Sequence, residues 1–280
     1  MPDTGPTVVL PGRPLTTGEL LDSAVLLLRG QAPVLLPVAA VLAAAEQLVL
    51  LPLRSAVRAT APLWWVSDAD DLGTFWFLLA LGAATEVMII MLLGNPAARA
   101  AARALVGRRS TAADAWGPGG RWGATVLLAP AVGAVMLLAA LLGPAWFVGF
   151  ALLGAVAPAL VVDRVAPVRA INRSAALAVR VGGRAAALRV LGYLVWWIIR
   201  VGLGWGTFTG LTTLGLTTEG WAGAVAMLVW AAVNAVAYAA LACLDAVLHL
   251  ETRIRTEGLD IRLSRAPGAA RTPELLAVGG

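Results

Sequence analysis

Residues 190–210 read VLGYLVWWIIRVGLGWGTFTG, twenty-one residues carrying a single charge, Arg200. An α-helix rises about 1.5 Å per residue and a bilayer core is about 30 Å thick, so roughly twenty apolar residues make one crossing. The stretch therefore reads as a membrane span with a permanent charge near its middle. Composition points the same way. The 280 residues are 60% hydrophobic and 13% charged, against about 25% charged in soluble domains, and the mean hydropathy is +0.84. So few polar side chains cannot cover a water-facing surface, and the class is integral membrane protein.

Five further stretches have the same character, at about 32–53, 74–94, 123–142, 145–162 and 222–248. They predict an all-α polytopic fold of six transmembrane helices in three hairpins. The membrane domain occupies 16–263, between an N-terminal arm at 1–15 and a disordered tail at 264–280. Charge sets the threading. All 21 Lys+Arg residues are Arg, and eighteen fall before the first span, in the connections 95–122 and 163–189, or after the sixth span. Only Arg54 and Arg58 lie on the other side. The positive-inside rule then places both termini in the cytoplasm, as an even number of spans also requires. No cleavable signal peptide is expected. Cys243 is the lone cysteine, which excludes an intrachain disulfide and suits a small packing residue. The Arg excess lies beside apolar segments, so the expected partners are membrane lipids with anionic inner-leaflet headgroups, or another membrane protein, and not nucleic acid.

A short cytoplasmic helix precedes each hairpin in this reading. Thr16 and Glu19, and again Thr111 and Asp114, have capping-box spacing. The third unit, PVRAINRSAALAVRVGGR, places Arg169, Arg173, Arg180 and Arg184 within about 60° on one helical face. Ser23, Ala24, Leu26 and Arg29 of the first unit match Ser174, Ala175, Leu177 and Arg180 of the third. A basic face backed by an apolar one suits headgroup contact; packing of the apolar face on the protein's own spans is the alternative. GNPAARAAARALVG reads as a further separate helix, with Asn95 as cap, Pro96 at its first position and Gly107 at its end. The sixth span continues into HLETRIRTEG, with Glu251 and Arg255 spaced as a helical pair and Gly258 placed to close the helix.

A charge at mid-membrane is costly and should face inward and be paired. Glu46 and Glu86 are the candidate partners of Arg200. Asn234, Tyr238, Asp245 and His249 of the sixth span fall on one stripe and are expected to point into the bundle together. Two readings stand. Glu46, Glu86, Arg200, Asn234, Tyr238 and Asp245 form a polar pathway or headgroup pocket, or they form structural pairs that fix helix order. A shift of the fifth span, making Trp196 and Trp197 belt residues, ranks below both. Gly202, Gly206 and Gly210 carry overlapping GxxxG spacing, which predicts close helix packing. Catalysis finds little support. His249 is the only histidine, too few ligands are present for zinc, and neither a nucleophile elbow nor a phosphate loop occurs. No metal or cofactor is expected.

Three blocks, RPLTTGELLDSAVLLLRGQAPVLL, VVDRVAPVRAINRSAALAVRVGGRAAALRVLG and ETRIRTEGLD, resemble a bacterial membrane-protein family. It is named for the glycerophosphoryl diester phosphodiesterase membrane domain, and the resemblance runs over about residues 13–263. Arg253 to Asp260 is its most specific piece; the aromatic residues usual before that block are His249 and Leu250 here. The resemblance implies a polytopic helical domain in a bacterial plasma membrane, without the phosphodiesterase itself. The leading expectation is a non-enzymatic membrane module that binds lipid or a partner protein. The alternative is a transporter or lipid-translocating protein built around Arg200 and its glutamates. An intramembrane hydrolase comes third, and needs two of Glu46, Glu86 and Asp245 to converge on one water.

Overall fold

The computed structural model describes residues 10–66, 68–218, 220–265 and 272–278. It is 81% helical and has no strand among the described residues. The helices are α1 (Thr17–Ala56), α2 (Leu72–Leu105), α3 (Ala112–Trp116), α4 (Trp122–Leu141), α5 (Ala145–Leu153), α6 (Val156–Val161), α7 (Pro167–Thr213), α8 (Ala222–Glu257) and α9 (Leu259–Arg265). A short 3-10 turn, Pro273–Leu276, follows near the C-terminus.

Five helices are long and apolar enough to cross a membrane: α1, α2 with the turn that leads into it, α4, α7 and α8. The stretch expected as a fourth span, 145–162, is instead two short helices, α5 and α6, with a break at Gly154 and Ala155. Pro158 explains the break. It has no N–H to offer the Gly154 carbonyl, and its ring crowds that oxygen. Freed backbone groups inside a membrane protein need other partners. Arg189 Nη1 donates to Ala151 O at 2.8 Å, and the Ser174 hydroxyl donates to Leu152 O and accepts from Ala155 N.

The short pre-hairpin helices are only partly separate. Thr16 caps α1 with both capping-box bonds made, but α1 then runs unbroken through Pro33 and Pro37 to Ala56. Thr111 and Asp114 cap the one-turn α3 in the same way. The expected separate helix at 95–107 is not there: α2 continues through Pro96 to Leu105. Asn95 is no cap but a fully buried side chain, donating to Gly120 O at 2.6 Å and Thr125 Oγ1 at 2.8 Å. That pair of partners lies across the bundle and could not be read from local spacing. In the third unit the break is real. Arg180, Val181, Gly182 and Gly183 leave helical geometry, with φ of 52°, 66° and 75° at the last three, and split α7 into a basic arm and a spanning arm.

Burial shows which helices form the centre. In α8, 67% of the most apolar window is buried and in α2 61%, against 28% in α7. α1 packs chiefly on α8, at the far end of the chain, and not on α2, whereas α2 packs chiefly on α4, the next long helix. Small residues allow close approach: a Cβ at Gly94 would lie 2.9 Å from that of Ala157. The expected close packing at Gly202, Gly206 and Gly210 is not observed, since nothing lies within 4 Å of a Cβ at any of them. Gly204, between them, is the one that meets a neighbour, Trp230. The outer surface keeps large apolar side chains exposed, including Val41, Leu127, Leu138, Ile198 and Leu228. Such a continuous apolar exterior is what lipid contact requires.

Candidate functional site

Arg200 pairs with Glu86, Nη1 to Oε1, at 2.9 Å, and both side chains are buried. Tyr193 lies two turns earlier on α7, on the same face, and Tyr238 comes from α8. Their rings flank the guanidinium at 5.6 Å each. Glu46 is separate from this pair. Its Oε2 accepts from the Tyr238 hydroxyl at 2.7 Å and Asn234 Nδ2 at 3.3 Å, and its Oε1 lies 2.8 Å from the Thr85 hydroxyl. The question of which glutamate meets Arg200 is thus resolved by α2, which carries Glu86 towards α7.

Five of the six intramembrane polar candidates, Glu46, Glu86, Arg200, Asn234 and Tyr238, line one cavity of about 430 Å³. The sixth, Asp245, is elsewhere. It pairs with Arg189 at 2.5 Å, beside the α5–α6 break. The α8 stripe therefore serves three separate centres, because His249, one turn further on, meets Asp163 at 2.9 Å. Gly154 is required at the second centre: a Cβ there would overlap Arg189 and come within 2.6 Å of Asp245 Oδ2.

Aromatic side chains wall much of the cavity, which reaches from the buried ion pair to the α1–α2 connection on the Arg-poor side. Trp230 Nε1 pins that connection by donating to Pro62 O at 2.6 Å. Arg54, two turns beyond Glu46 on α1, is buried at the cavity wall. Its Nη1 donates to Gln47 Oε1 at 2.9 Å and its guanidinium stacks on Trp64 at 4.3 Å. It has no ion-pair partner among the described residues. Four buried donors on this wall lack acceptors: Arg54 Nε, Trp64 Nε1, Trp146 Nε1 and Arg200 Nε. Sequence reading missed Arg54 as a site residue because it sits at a span end, where an arginine ordinarily reaches water.

The basic face of the third unit is largely occupied. Arg173 pairs with Asp163 and, at 2.7 Å, with Glu257. Arg180 meets Glu257 and Arg184 meets Glu251, each at 3.1 Å. Arg169 alone of the four is exposed with no ion-pair partner among the described residues. Asp163 and Arg253, neither expected as a site residue, anchor this network: Arg253 Nη1 donates to Asp163 Oδ1 at 2.7 Å. Burial works to raise the Asp163 carboxyl, but His249, Arg253 and Arg173 hold it down to about 2. An ionised Asp163 can only accept, so His249 Nε2 carries the proton between them. Glu257 is likewise held below the usual range against its burial, by hydrogen bonds from Arg173 and Arg253. The expected pair of Glu251 with Arg255 forms.

The tail expected to be disordered docks here where it is described. Leu276 is fully buried, Arg253 Nη1 donates to its carbonyl at 2.7 Å, and Val278 N donates to Asp163 O at 3.1 Å. Residues 264 and 265 end α9, while 266–271 and 279–280 of that tail, like 1–9 of the N-terminal arm, lie outside the described residues. Comparison with known proteins adds no assignment: no family model, no curated protein and no solved structure matches this chain.

Proposed function

We propose that this chain is a non-enzymatic, six-span membrane protein of the bacterial plasma membrane, with both termini cytoplasmic, that binds an anionic amphiphile in its aromatic-walled cavity. The observation that carries this is the donor excess at the wall. Buried donors are almost always paired, and an unpaired one costs about 1–3 kcal/mol. Arg54 Nε, Trp64 Nε1, Trp146 Nε1 and Arg200 Nε await acceptors. Against them stand one amide oxygen, Asn234 Oδ1, and Glu86 Oε1, whose charge Arg200 already balances. An oxygen-rich anionic head would meet the free N–H groups of Arg54 and Trp64 from the cavity side, and Leu50, Phe75, Leu78 and Trp197 offer apolar surface for its tail. Three of the four arginines of the basic arm are tied to Asp163, Glu251 and Glu257, which favours the cavity over that face as the lipid site. The resemblance to a membrane-domain family without catalytic parts is consistent with binding and not hydrolysis.

Native mass spectrometry of protein extracted gently from its own membrane tests this. An anionic lipid should be retained, and should fall by about tenfold or more in Arg54→Gln, a charge-assisted hydrogen bond being worth about 1.5–3 kcal/mol. Equal retention in Arg54→Gln, or equal loading of zwitterionic lipid, sinks the proposal. Translocation is the second reading, favoured by a broken helix at membrane depth, which transporters use at binding sites. Its freed carbonyls at Ala151 and Leu152 are already satisfied. Labelled anionic lipid that binds reconstituted protein without crossing the bilayer decides for binding.

A further inference from the structure

A second cavity, of about 160 Å³, lies on the Arg-rich side between α2, the α6–α7 connection and the C-terminal segment. Arg99, Arg103, Arg164 and Glu274 supply its charged lining. Arg99 and Arg103 are one turn apart on α2, where like charges oppose each other. Burial lowers the Arg99 pKa, and Arg103 adds to the effect. Arg99 donates to the carbonyls of Ala115 and Gly117 at 3.2 and 2.8 Å, which hold it without neutralising it. Arg103 pairs with Asp114 at 2.6 Å, and Arg164 with Glu274 at 3.3 Å. Three guanidiniums thus face two carboxylates. Arg164 is presented from a left-handed backbone, φ 57°, which a non-glycine residue adopts at a cost. The Arg164–Glu274 pair is the weak one. Its side chains are 50% and 59% exposed, and such pairs contribute about 0–1 kcal/mol.

We propose that this cavity binds a phosphate-like oxyanion and that Glu274 of the C-terminal segment is its built-in competitor. Guanidinium groups match tetrahedral oxyanions with paired N–H donors. With Glu274 in place the lining keeps one unbalanced positive charge, and with Glu274 displaced it keeps two. The same chemistry comes from a soluble phosphate or from a phosphomonoester lipid headgroup at the membrane surface. Nothing in the proposal depends on the membrane cavity, so the two fail separately.

The test titrates the full chain in detergent with inorganic phosphate by calorimetry. In parallel, unfolding is followed in nanodiscs containing phosphatidic acid or only phosphatidylcholine. Glu274→Gln, an exposed change that spares the core, should tighten binding about two- to fivefold. Arg164→Gln should weaken it about tenfold with an unchanged unfolding midpoint, and Arg54→Gln should leave it as it is. Phosphate binding in detergent with these shifts supports a soluble anion. A phosphatidic acid response alone, enhanced in Glu274→Gln, supports a headgroup. The absence of binding in both arms, or a Glu274→Gln protein that behaves as wild type in both, overturns the proposal.

Discussion

Arg200 shows what one residue discloses about its own surroundings. A guanidinium in an apolar run is costly unless it faces inward and finds a partner, so inward placement and pairing were expected from the residue type. The choice of Glu86 over Glu46 did not, since both lie in spans and only helix rotation brings one into reach. Arg189 makes the converse point. Counted by its neighbours as a cytoplasmic charge, it is buried against Asp245 and caps a broken helix. Asp163 lends itself to a pH test. Its carboxyl is held at about 2 in the folded protein, below the ordinary value near 3.9. Its contribution is therefore complete above the unfolded value and lost as pH falls through about 2, amounting to about 2 kcal/mol. Unfolding in detergent should show that loss between about pH 4 and pH 2 in wild type. Asp163→Asn, less stable throughout, should show a flatter profile; equal slopes would argue that Asp163 does not carry the acid response.

At the scale of elements, periodicity and turn chemistry located the long helices well and their interruptions poorly. Proline is tolerated in α1 and α2, where neighbouring helices hold the backbone, yet Pro158 coincides with a true break because Arg189 and Ser174 take over the freed groups. Glycine likewise means different things at different places. Gly183 adopts φ 75° at the bend of α7, while Gly202 is helical with open space around it. Gly183→Ala should cost about 1–2 kcal/mol, because an L side chain resists the left-handed region. Gly202→Ala should be neutral or stabilising by up to about 1 kcal/mol, since alanine is the better helix former. Chemical unfolding of the two variants side by side checks this, and a reversed order would show that the bend is not set by backbone conformation.

For the whole molecule, the proposed threading predicts which surfaces face which compartment. The single native cysteine, Cys243, is buried and should stay silent to an impermeant thiol reagent. Cysteine introduced at Asp70, in the exposed α1–α2 connection, should label in intact cells. Cysteine introduced at Ala113, exposed on the Arg-rich side, should label only after permeabilisation. The opposite pattern would invert the proposed orientation. Membrane class, the long apolar helices, the N-terminal caps at Thr16 and Thr111 and the asymmetry of arginine were all legible in the sequence. They depend on local composition and on spacings within a few residues. The cavity, the pairing of Arg200 with Glu86, the dispersal of one α8 stripe over three polar centres and the docking of Leu276 were decided only by tertiary structure. Each of these joins residues far apart in the chain, and the rotation and depth of every helix had to be set by its neighbours before any of those partners could meet.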